Sequence, residues 1–287
     1  PRSLFNLLSL PILYFERLFS MHPMLNTALT VARSTGDMIA QAAEQVDLLD
    51  VEAKGVNDFV TRVDKASEES IIEGIRKRYP NHGFLGEETG LIEGIDDGKD
   101  YVWIIDPLDG TTNFINGVPH FAISIALTIK DQIEVAVVLD PMRKEEFTAA
   151  RGRGAQLNGK RLRVNSRKVL PGTLLATGFP FRPDQLDIFD SYMGMFKDFA
   201  QQCSGIRRQG AASLDLAYVA AGRYDGFWEF GLKEWDMAAG VLLVQEAGGL
   251  VGDLNGGMSH LKSGNIVCAQ PKLFKAMLQT IRPHLTS

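Results

Sequence analysis

The hydrophobic and polar positions of this chain change their spacing along its length. Residues 24–45 carry apolar side chains at intervals of three and four, which predicts an amphipathic helix, and residues 66–80 repeat the pattern up to Pro80. Short runs rich in β-branched and aromatic residues follow between turn residues, at 101–105, 121–129, 133–140 and 145–150. These runs predict a sheet with mainly hairpin connections, on which the two helices pack.

Strand and helix patterns alternate in the second half of the sequence. Strand-like residues 173–179 and 224–230 are each followed by helical patterns, and a final helix is expected at 271–281. Such alternation is typical of an α/β lobe. We therefore expect an N-terminal α+β lobe at residues 21–165 and a C-terminal α/β lobe at residues 166–287. They should share an interface, because no low-complexity linker separates them.

The first twenty residues are strongly apolar, but Pro11, Glu16 and Arg17 interrupt the run. They contain no uncharged stretch long enough to span a bilayer and no signal-peptide cleavage pattern, so we expect no membrane partner. We interpret residues 1–20 as a non-native or upstream extension. A short amphipathic interaction segment is the alternative.

Composition and charge narrow the class of protein. A hydrophobic share of 45% over 287 residues supports a large core. The net charge of −5 provides no overall attraction to nucleic acid or to an anionic membrane. Cys203 and Cys268 lie far apart and form no metal-binding spacing, so we expect a reducing, cytoplasmic location.

Residues 106–112, DPLDGTT, follow the buried-strand pattern YVWII and place two carboxylates at its end. Pro107 lacks an amide hydrogen, so we expect the chain to leave the strand there in a turn that brings Asp106 and Asp109 together. Hard divalent cations with oxygen ligands, Mg²⁺ above all, would relieve the repulsion between these carboxylates. Gly110 would let a phosphate approach the backbone where the threonines begin a helix. The alternative is a plain surface turn with a capped helix.

Three further motifs accompany DPLDGTT: KGVNDFVTRVD at residues 54–64, GEET at 86–89, and WD at 235–236 followed by MAAG. From about Met21 to the C-terminus, the chain closely resembles bacterial members of the inositol monophosphatase family. The resemblance includes these motifs and also the segments VDKASE, PHFAISIAL, GAQLNG, GAASLDLAYVAAGRYDGFWE and EAGG. The resemblance implies a layered αβαβα sandwich with its site between the lobes. It also implies a lithium-sensitive homodimer that hydrolyses myo-inositol monophosphates to inositol and phosphate through a water activated by Mg²⁺, with two or three ions bound.

The resemblance also assigns roles to individual residues. The implied metal ligands are the carboxylates of Glu87, Asp106, Asp109 and Asp236 and the backbone carbonyl of Leu108. The implied catalytic residues are Asp64, Glu87 and Thr111. Thr111, paired with Glu87, would orient and help deprotonate a metal-bound water, and Asp64 would act close to the metals through water. The implied substrate contacts are Asp109, Gly110, Thr111, Ala212, Glu229 and Asp236. Lys54 matches a family residue near the site, although a lysine on a glycine loop is usually only solvated.

Several of these acids have simpler explanations when each is taken alone. Glu87 belongs to an EE pair that would normally be solvated charge, and Asp236 precedes a predicted helix, where acids cap free amides. Glu229 could be a solvated acid at a strand end. The family match favours the functional interpretation. No histidine or cysteine lies in the acidic motifs, which argues against phosphohistidine or cysteine phosphatase chemistry.

Two functional alternatives stay open. Nucleotide bisphosphatases, fructose bisphosphatases and histidinol phosphatases share the DPxDGT and WD motifs, although Glu229 favours an inositol phosphate. Proteins of the resembled bacterial type also act in ribosomal RNA transcription antitermination, where they contact Nus factors and RNA polymerase. The candidate partner-facing side chains are Arg207, Arg208, Arg161, Arg163, Arg167 and Lys168, although such clusters are usually only solvated surface. We expect the protein to have both roles.

Overall fold

The computed structural model of the protein describes residues 22–45, 51–55, 58–180 and 183–285. The interpretation of residues 1–20 concerns a segment outside these ranges. Within them, no helix combines the length and the hydropathy that a bilayer crossing requires.

The first half contains three helices and ten strands in its described part. In chain order they are α1 (Pro23–Ala43), β1 (Val51–Gly55), β2 (Asp58–Thr61), α2 (Arg62–Arg76), β3 (Gly83–Gly86), β4 (Gly90–Ile92), β5 (Tyr101–Asp109), α3 (Thr111–Ile115), β6 (Ala122–Ile129), β7 (Gln132–Asp140), β8 (Glu145–Ala150), β9 (Gly154–Leu157) and β10 (Lys160–Arg161). The amphipathic helices and the hairpin strands predicted from the sequence are therefore confirmed.

Strands and helices alternate in the second half, as predicted. The elements are β11 (Leu174–Thr177), α4 (Phe189–Ala200), β12 (Gly205–Arg207), α5 (Ala212–Ala220), β13 (Gly226–Glu229), α6 (Glu234–Glu246), β14 (Leu250–Gly252), α7 (His260–Ser263), β15 (Ile266–Ala269) and α8 (Pro271–Ile281). Short 3₁₀ turns occupy Asp96–Gly98, Pro183–Ile188 and Arg282–His284.

Helix α2 begins four residues earlier than its apolar pattern predicts. The reason is a capping box at Thr61: its hydroxyl accepts hydrogen bonds from the amides of Val63 and Asp64, and the Asp64 carboxylate accepts one from the amide of Thr61. The helix ends at Arg76, ahead of Pro80, because proline cannot continue the backbone hydrogen bonding. The early start places Asp64 in the first helical turn.

Two larger sheets form the framework of the molecule. The first has eight strands in the order β10-β9-β8-β7-β6-β5-β3-β4 and is antiparallel except between β3 and β5. The second has five strands in the order β12-β11-β13-β15-β14, with β12, β11 and β13 parallel. A separate two-stranded pair joins β1 to β2.

Side-chain alternation along the strands packs helices on both faces of each sheet. On β5, Trp103 and Ile105 join the core formed with α1 and α2, whereas Ile104 joins the core formed with α5 and α6. On β13, Phe227 also faces α5 and α6, and Trp228 faces α4 and α8. The layers are thus helix, sheet, helix, sheet, helix, which is the predicted αβαβα sandwich. The division into lobes at residue 165 stays a prediction.

Candidate active site

A β-bulge in strand β5 positions the two aspartates of DPLDGTT. Asp106 pairs with Ser124 and Asp109 pairs with Ala122, so the register shifts by one residue between them. The prediction that the strand ends at Pro107 is therefore wrong. Because Pro107 has no amide hydrogen for the ladder, the chain bulges there instead and continues to Asp109. The Asp106 carboxylate accepts the amide hydrogen of Leu108 at 3.0 Å, which fixes its orientation within the bulge.

Gly110 turns the chain from strand β5 into helix α3. Its φ of +100° is a left-handed conformation that glycine adopts without strain. A Cβ atom at this position would also lie 3.0 Å from the carbonyl oxygen of His120. Helix α3 then begins at Thr111, as the sequence predicts.

Thr111 is hydrogen-bonded to a buried aspartate from helix α2. Its hydroxyl donates to Asp64 Oδ1 at 2.9 Å and lies 3.1 Å from the carbonyl oxygen of Leu108. The other Asp64 oxygen accepts the amide and the hydroxyl of Thr61, at 2.8 Å and 2.5 Å. Burial raises the pKa of Asp64, although these hydrogen bonds act in the opposite direction. Two of the predicted catalytic residues therefore form one hydrogen-bonded pair.

Asp109 connects the two halves of the molecule. Its Oδ2 accepts the amide of Ser213 at 2.7 Å and the hydroxyl of Ser213 at 2.5 Å, both from the first turn of helix α5. Burial raises the pKa of Asp109 to about 6, although the hydrogen bonds from Ser213 lower it. This carboxylate is thus held in place by the first turn of helix α5.

Four of the predicted metal ligands act on one another electrostatically. Burial, followed by the negative charges of Glu87, Asp109 and Asp236, raises the pKa of Asp106 well above its usual range. Glu87 follows strand β3, and its amide donates to the carbonyl of Ile105 at 3.2 Å. The structure therefore brings the predicted acidic ligands into one region.

Asp236 reaches this region from helix α6, in the second half of the chain. It lies in the first turn of helix α6, which begins at Glu234, rather than ahead of the helix as predicted. Its Oδ2 accepts the amide of Lys233 at 2.7 Å. The helix starts earlier because Asp236 acts as its third residue and accepts the Lys233 amide in a capping box. Asp236 therefore combines a helix-capping contact with a place among the acidic side chains.

The donor set fits a hard divalent cation. As the described side chains stand, no group of three or more His, Cys, Asp or Glu residues is arranged so that it could hold a metal ion. The acids nevertheless supply only oxygen donors, which Mg²⁺ prefers, and their mutual repulsion at buried Asp106 is what a cation would relieve. The side chain of Lys54 lies outside the part of the chain that the structure describes.

A cavity of about 170 Å³ opens beside these acids. Four of the predicted substrate contacts line it: Asp109, Ala212, Glu229 and Asp236. Gly110 and Thr111 adjoin Asp109 in the chain but are not part of this lining. Arg208, one of the predicted partner-facing residues, brings a positive charge to the cavity wall. The lining draws on strands β5 and β13 and on helices α5 and α6.

Sequence reasoning missed three polar residues here. Ser213 holds Asp109, and Asn113 donates to the carbonyls of Gln209 at 2.8 Å and of His120 at 2.8 Å, joining α3 to the segment before α5. Asp215 lines the cavity, is 1% exposed, and has an Oδ1 atom without a hydrogen-bond partner in the described structure. Burial raises the pKa of Asp215 well above its usual range. Its position as the acid of the apolar run LDLAYVAAG was a signal that could have identified it.

A comparison with models of protein families shows which family the chain belongs to. The model of the inositol monophosphatase family matches residues 20–286. The chain belongs to the inositol monophosphatase family. The matched range agrees with the resemblance from about Met21 onward, and the family is one of phosphatases.

Similar proteins from several bacteria support this membership. A Pseudomonas aeruginosa relative named Nus factor SuhB is 62% identical over 265 residues, which cover 92% of this chain and 98% of that protein. The extragenic suppressor protein suhB of Bartonella henselae has a crystal structure with a TM-score of 0.88 and 39% identity, over 92% of this chain and 100% of that one. The structure of inositol monophosphate bound to SaIMPase-II, from Staphylococcus aureus, has a TM-score of 0.74 and 28% identity, covering 91% and 95%.

Proposed function

We propose that this protein is a Mg²⁺-dependent phosphatase that hydrolyses myo-inositol monophosphates to inositol and phosphate. The observation that carries the proposal is the group of acids around buried Asp106, which adjoins both the Thr111–Asp64 pair and the cavity that contains Glu229. A hydrolytic phosphatase needs charge neutralisation, a positioned water and a pocket for the alcohol. These three groups of residues correspond to those needs.

The carboxylates of Glu87, Asp106, Asp109 and Asp236, with the carbonyl of Leu108, would hold Mg²⁺ as two or three ions. When bound, Mg²⁺ neutralises the phosphoryl oxygens, lowers the pKa of water and stabilises the departing alkoxide. Asp109 is held for this role by Ser213, and Asp106 by the amide of Leu108. Both carboxylates therefore lose little freedom when a cation binds.

Thr111 and Asp64 would accept the proton that the attacking water loses. The Thr111 hydroxyl lies within hydrogen-bond distance of two acceptors, Asp64 Oδ1 at 2.9 Å and the carbonyl oxygen of Leu108 at 3.1 Å. In the proposed mechanism it donates its single hydrogen to Asp64, so the Thr111 oxygen accepts from a water. A water that donates to Thr111 keeps a lone pair for the phosphorus atom. The proton passes through the Thr111 hydroxyl towards Asp64, whose raised pKa makes it a better base than an exposed carboxylate. Glu87 assists from the GEET segment.

Glu229 would select a polyol as the alcohol part of the substrate. A carboxylate that accepts hydrogen bonds from adjacent hydroxyls favours an inositol over a flat or apolar leaving group. Asp236 and Ala212 line the same cavity. SaIMPase-II, whose structure contains inositol monophosphate, supports this choice of substrate.

A substrate panel tests the assignment. At saturating Mg²⁺, inositol 1-phosphate should be hydrolysed with a higher kcat/KM than fructose bisphosphate, a nucleotide bisphosphate or histidinol phosphate. The substitution Glu229→Gln should raise KM for inositol 1-phosphate by about tenfold with little change in kcat, because it removes an acceptor but not the chemistry. The exposed acid Glu73 on α2 provides the control Glu73→Gln. A bisphosphate or histidinol phosphate clearly preferred over inositol 1-phosphate would overturn the assignment.

We also propose a second role, in ribosomal RNA transcription antitermination, with Nus factors and RNA polymerase as partners. The observation that favours it is the 62% identity to the Nus factor SuhB of P. aeruginosa. All six candidate side chains are exposed: Arg161, Arg163, Arg167, Lys168, Arg207 and Arg208. Arg167 also lies 3.6 Å from Asp225 in an ion pair. In the cell we expect a cytoplasmic homodimer.

Charge reversal tests the second role. Arg207→Glu combined with Arg208→Glu should weaken binding to a reconstituted complex of RNA polymerase and Nus factors, and Arg78→Glu, at an exposed position of the other half, is the control. Because Arg208 also lines the cavity, phosphatase activity must be measured on the same protein. Unchanged binding would remove these two arginines from the proposed contact surface.

A further inference from the structure

Helix α2 presents two carboxyl groups to the active site, one helical turn apart. Asp64 and Glu68 are four residues apart and therefore lie on the same face of the helix. Asp64 holds Thr111, as described above. Glu68, the last acid of the motif VDKASE, is fully buried, and the proposed function gives it no role.

The Glu68 carboxyl group binds the backbone of the GEET segment. Its Oε2 accepts the amide hydrogen of Glu88 at 3.0 Å, and its Oε1 accepts that of Thr89 at 2.8 Å. These amides come directly after Glu87, the predicted metal ligand of this segment. An amide that is removed from water needs a hydrogen-bond partner, and a two-oxygen acceptor satisfies both at once.

Gly86 closes the other side of this contact. A Cβ atom built on Gly86 would lie 2.4 Å from Glu68 Oε2 and 2.5 Å from the carboxyl carbon, closer than non-bonded atoms approach. The residue before Glu87 therefore packs directly on the carboxyl group, and the two residues after it are hydrogen-bonded to that group. The backbone on both sides of Glu87 is fixed by one buried side chain.

We propose that Glu68 is a positioning residue that sets the backbone of GEET and thereby aims the Glu87 carboxylate at the Mg²⁺ site. The inference rests on the proposed function, since it assumes that Glu87 binds Mg²⁺. A ligand that is already oriented loses less conformational freedom when the ion binds, so its affinity is higher. On this account α2 aligns two catalytic segments at once, DPLDGTT through Asp64 and GEET through Glu68.

Mg²⁺ binding to four variants tests the proposal. Titration calorimetry with MgCl₂ should show about tenfold weaker binding for Glu68→Gln, which retains one acceptor, and a loss of 10- to 100-fold for Glu68→Ala. Gly86→Ala should also weaken binding, because the added methyl group displaces the Glu68 carboxyl group. Glu69→Gln, at the exposed neighbouring position, should bind Mg²⁺ as the wild type does.

Two further readouts separate positioning from general stability. At saturating Mg²⁺, KM for inositol 1-phosphate should stay within about twofold of the wild type in Glu68→Gln, while the Mg²⁺ concentration for half-maximal activity rises. The thermal midpoint of each metal-free variant shows how far it is destabilised. Unchanged Mg²⁺ affinity in Glu68→Gln and Gly86→Ala would overturn the proposal, whatever their stability, and it would do so even if Glu68→Ala failed to fold. Failure of the proposed function would be visible separately, as a wild type that does not bind Mg²⁺ or hydrolyse the substrate.

Discussion

Thr111 and Asp64 show how one hydrogen bond decides what a hydroxyl can do. A threonine hydroxyl has one hydrogen and two lone pairs, and Asp64 is the nearer of the two acceptors of Thr111. In the proposed mechanism the Thr111 oxygen is therefore an acceptor for the attacking water. Thr61, which donates to the other Asp64 oxygen at 2.5 Å, keeps the carboxylate turned towards Thr111. The pair works only if the hydroxyl at position 111 is present.

Removal of that hydroxyl should affect the chemical step. We expect Thr111→Val to lower kcat for inositol 1-phosphate by about 100-fold or more, because the water loses its acceptor and the route to Asp64. Thr111→Ser should retain kcat within about tenfold, since serine keeps the hydroxyl. Thr112→Val, at the exposed neighbouring position, is the control. Steady-state phosphate release measures all three, and a Thr111→Val enzyme with wild-type kcat would exclude the pair from catalysis.

Sequence motifs predicted the acids of the site but not the residues that hold them. Asp106, Asp109, Glu87 and Asp236 lie in recognisable motifs, and the structure brings them together. Ser213, by contrast, binds an aspartate 104 positions away in the chain. A local sequence pattern cannot predict such a contact, because the tertiary fold alone brings the start of α5 to the end of β5. The roles of individual acids as metal ligands stay predictions.

At the scale of secondary structure, the spacing of apolar residues predicted which segments are helices and strands. Local hydrogen bonds determined where these elements begin and end. Strands β8 and β6 and helix α8 follow their apolar patterns closely. The three corrections concern termini: capping boxes started α2 and α6 early, and a bulge carried β5 past Pro107. All three depend on hydrogen bonds to particular atoms, which an average over apolar positions does not capture. The bulge also determines the positions of Asp106 and Asp109.

Across the whole molecule, the site lies where the elements of both sheets meet. Strand β5 of the eight-stranded sheet provides Asp106 and Asp109, and helix α6 and strand β13 provide Asp236 and Glu229. Asn113 and Ser213 bridge this junction with hydrogen bonds. The family resemblance predicted the αβαβα sandwich, whereas the alternation of patterns predicted an α+β lobe followed by an α/β lobe. The pairing order of the strands could not be predicted, because it depends on contacts between distant segments.

Burial of several acids in one region should make the metal-free protein less stable as the pH rises. The folded-state pKa of Asp109 is raised from 3.8 to about 6, so its contribution to stability is fully present below about pH 4 and is lost as the pH passes through about 6. Burial is also the largest cause of the raised pKa values of Asp64, Asp106 and Asp215. Mg²⁺ should reverse the effect, because it binds the ionised carboxylates.

Thermal unfolding measures this pH dependence directly. We expect the increase in thermal midpoint on adding excess MgCl₂ to grow between about pH 5 and pH 8. In the chelator-treated protein, Asp109→Asn should reduce the loss of stability between about pH 4 and pH 6, since asparagine does not ionise. A Mg²⁺-induced shift that is the same at every pH would contradict the interpretation that these acids bind the ion together.

The most direct test of the central claim is phosphate release from inositol 1-phosphate with and without Mg²⁺, for the wild type and for Asp109→Asn. The substitution keeps the size of the side chain and an oxygen acceptor for Ser213 but removes the ligand charge. We predict turnover that requires Mg²⁺ and that falls by at least about 100-fold in the variant. Absence of turnover in the folded wild type with Mg²⁺ would contradict the phosphatase assignment and leave the transcriptional role as the better account.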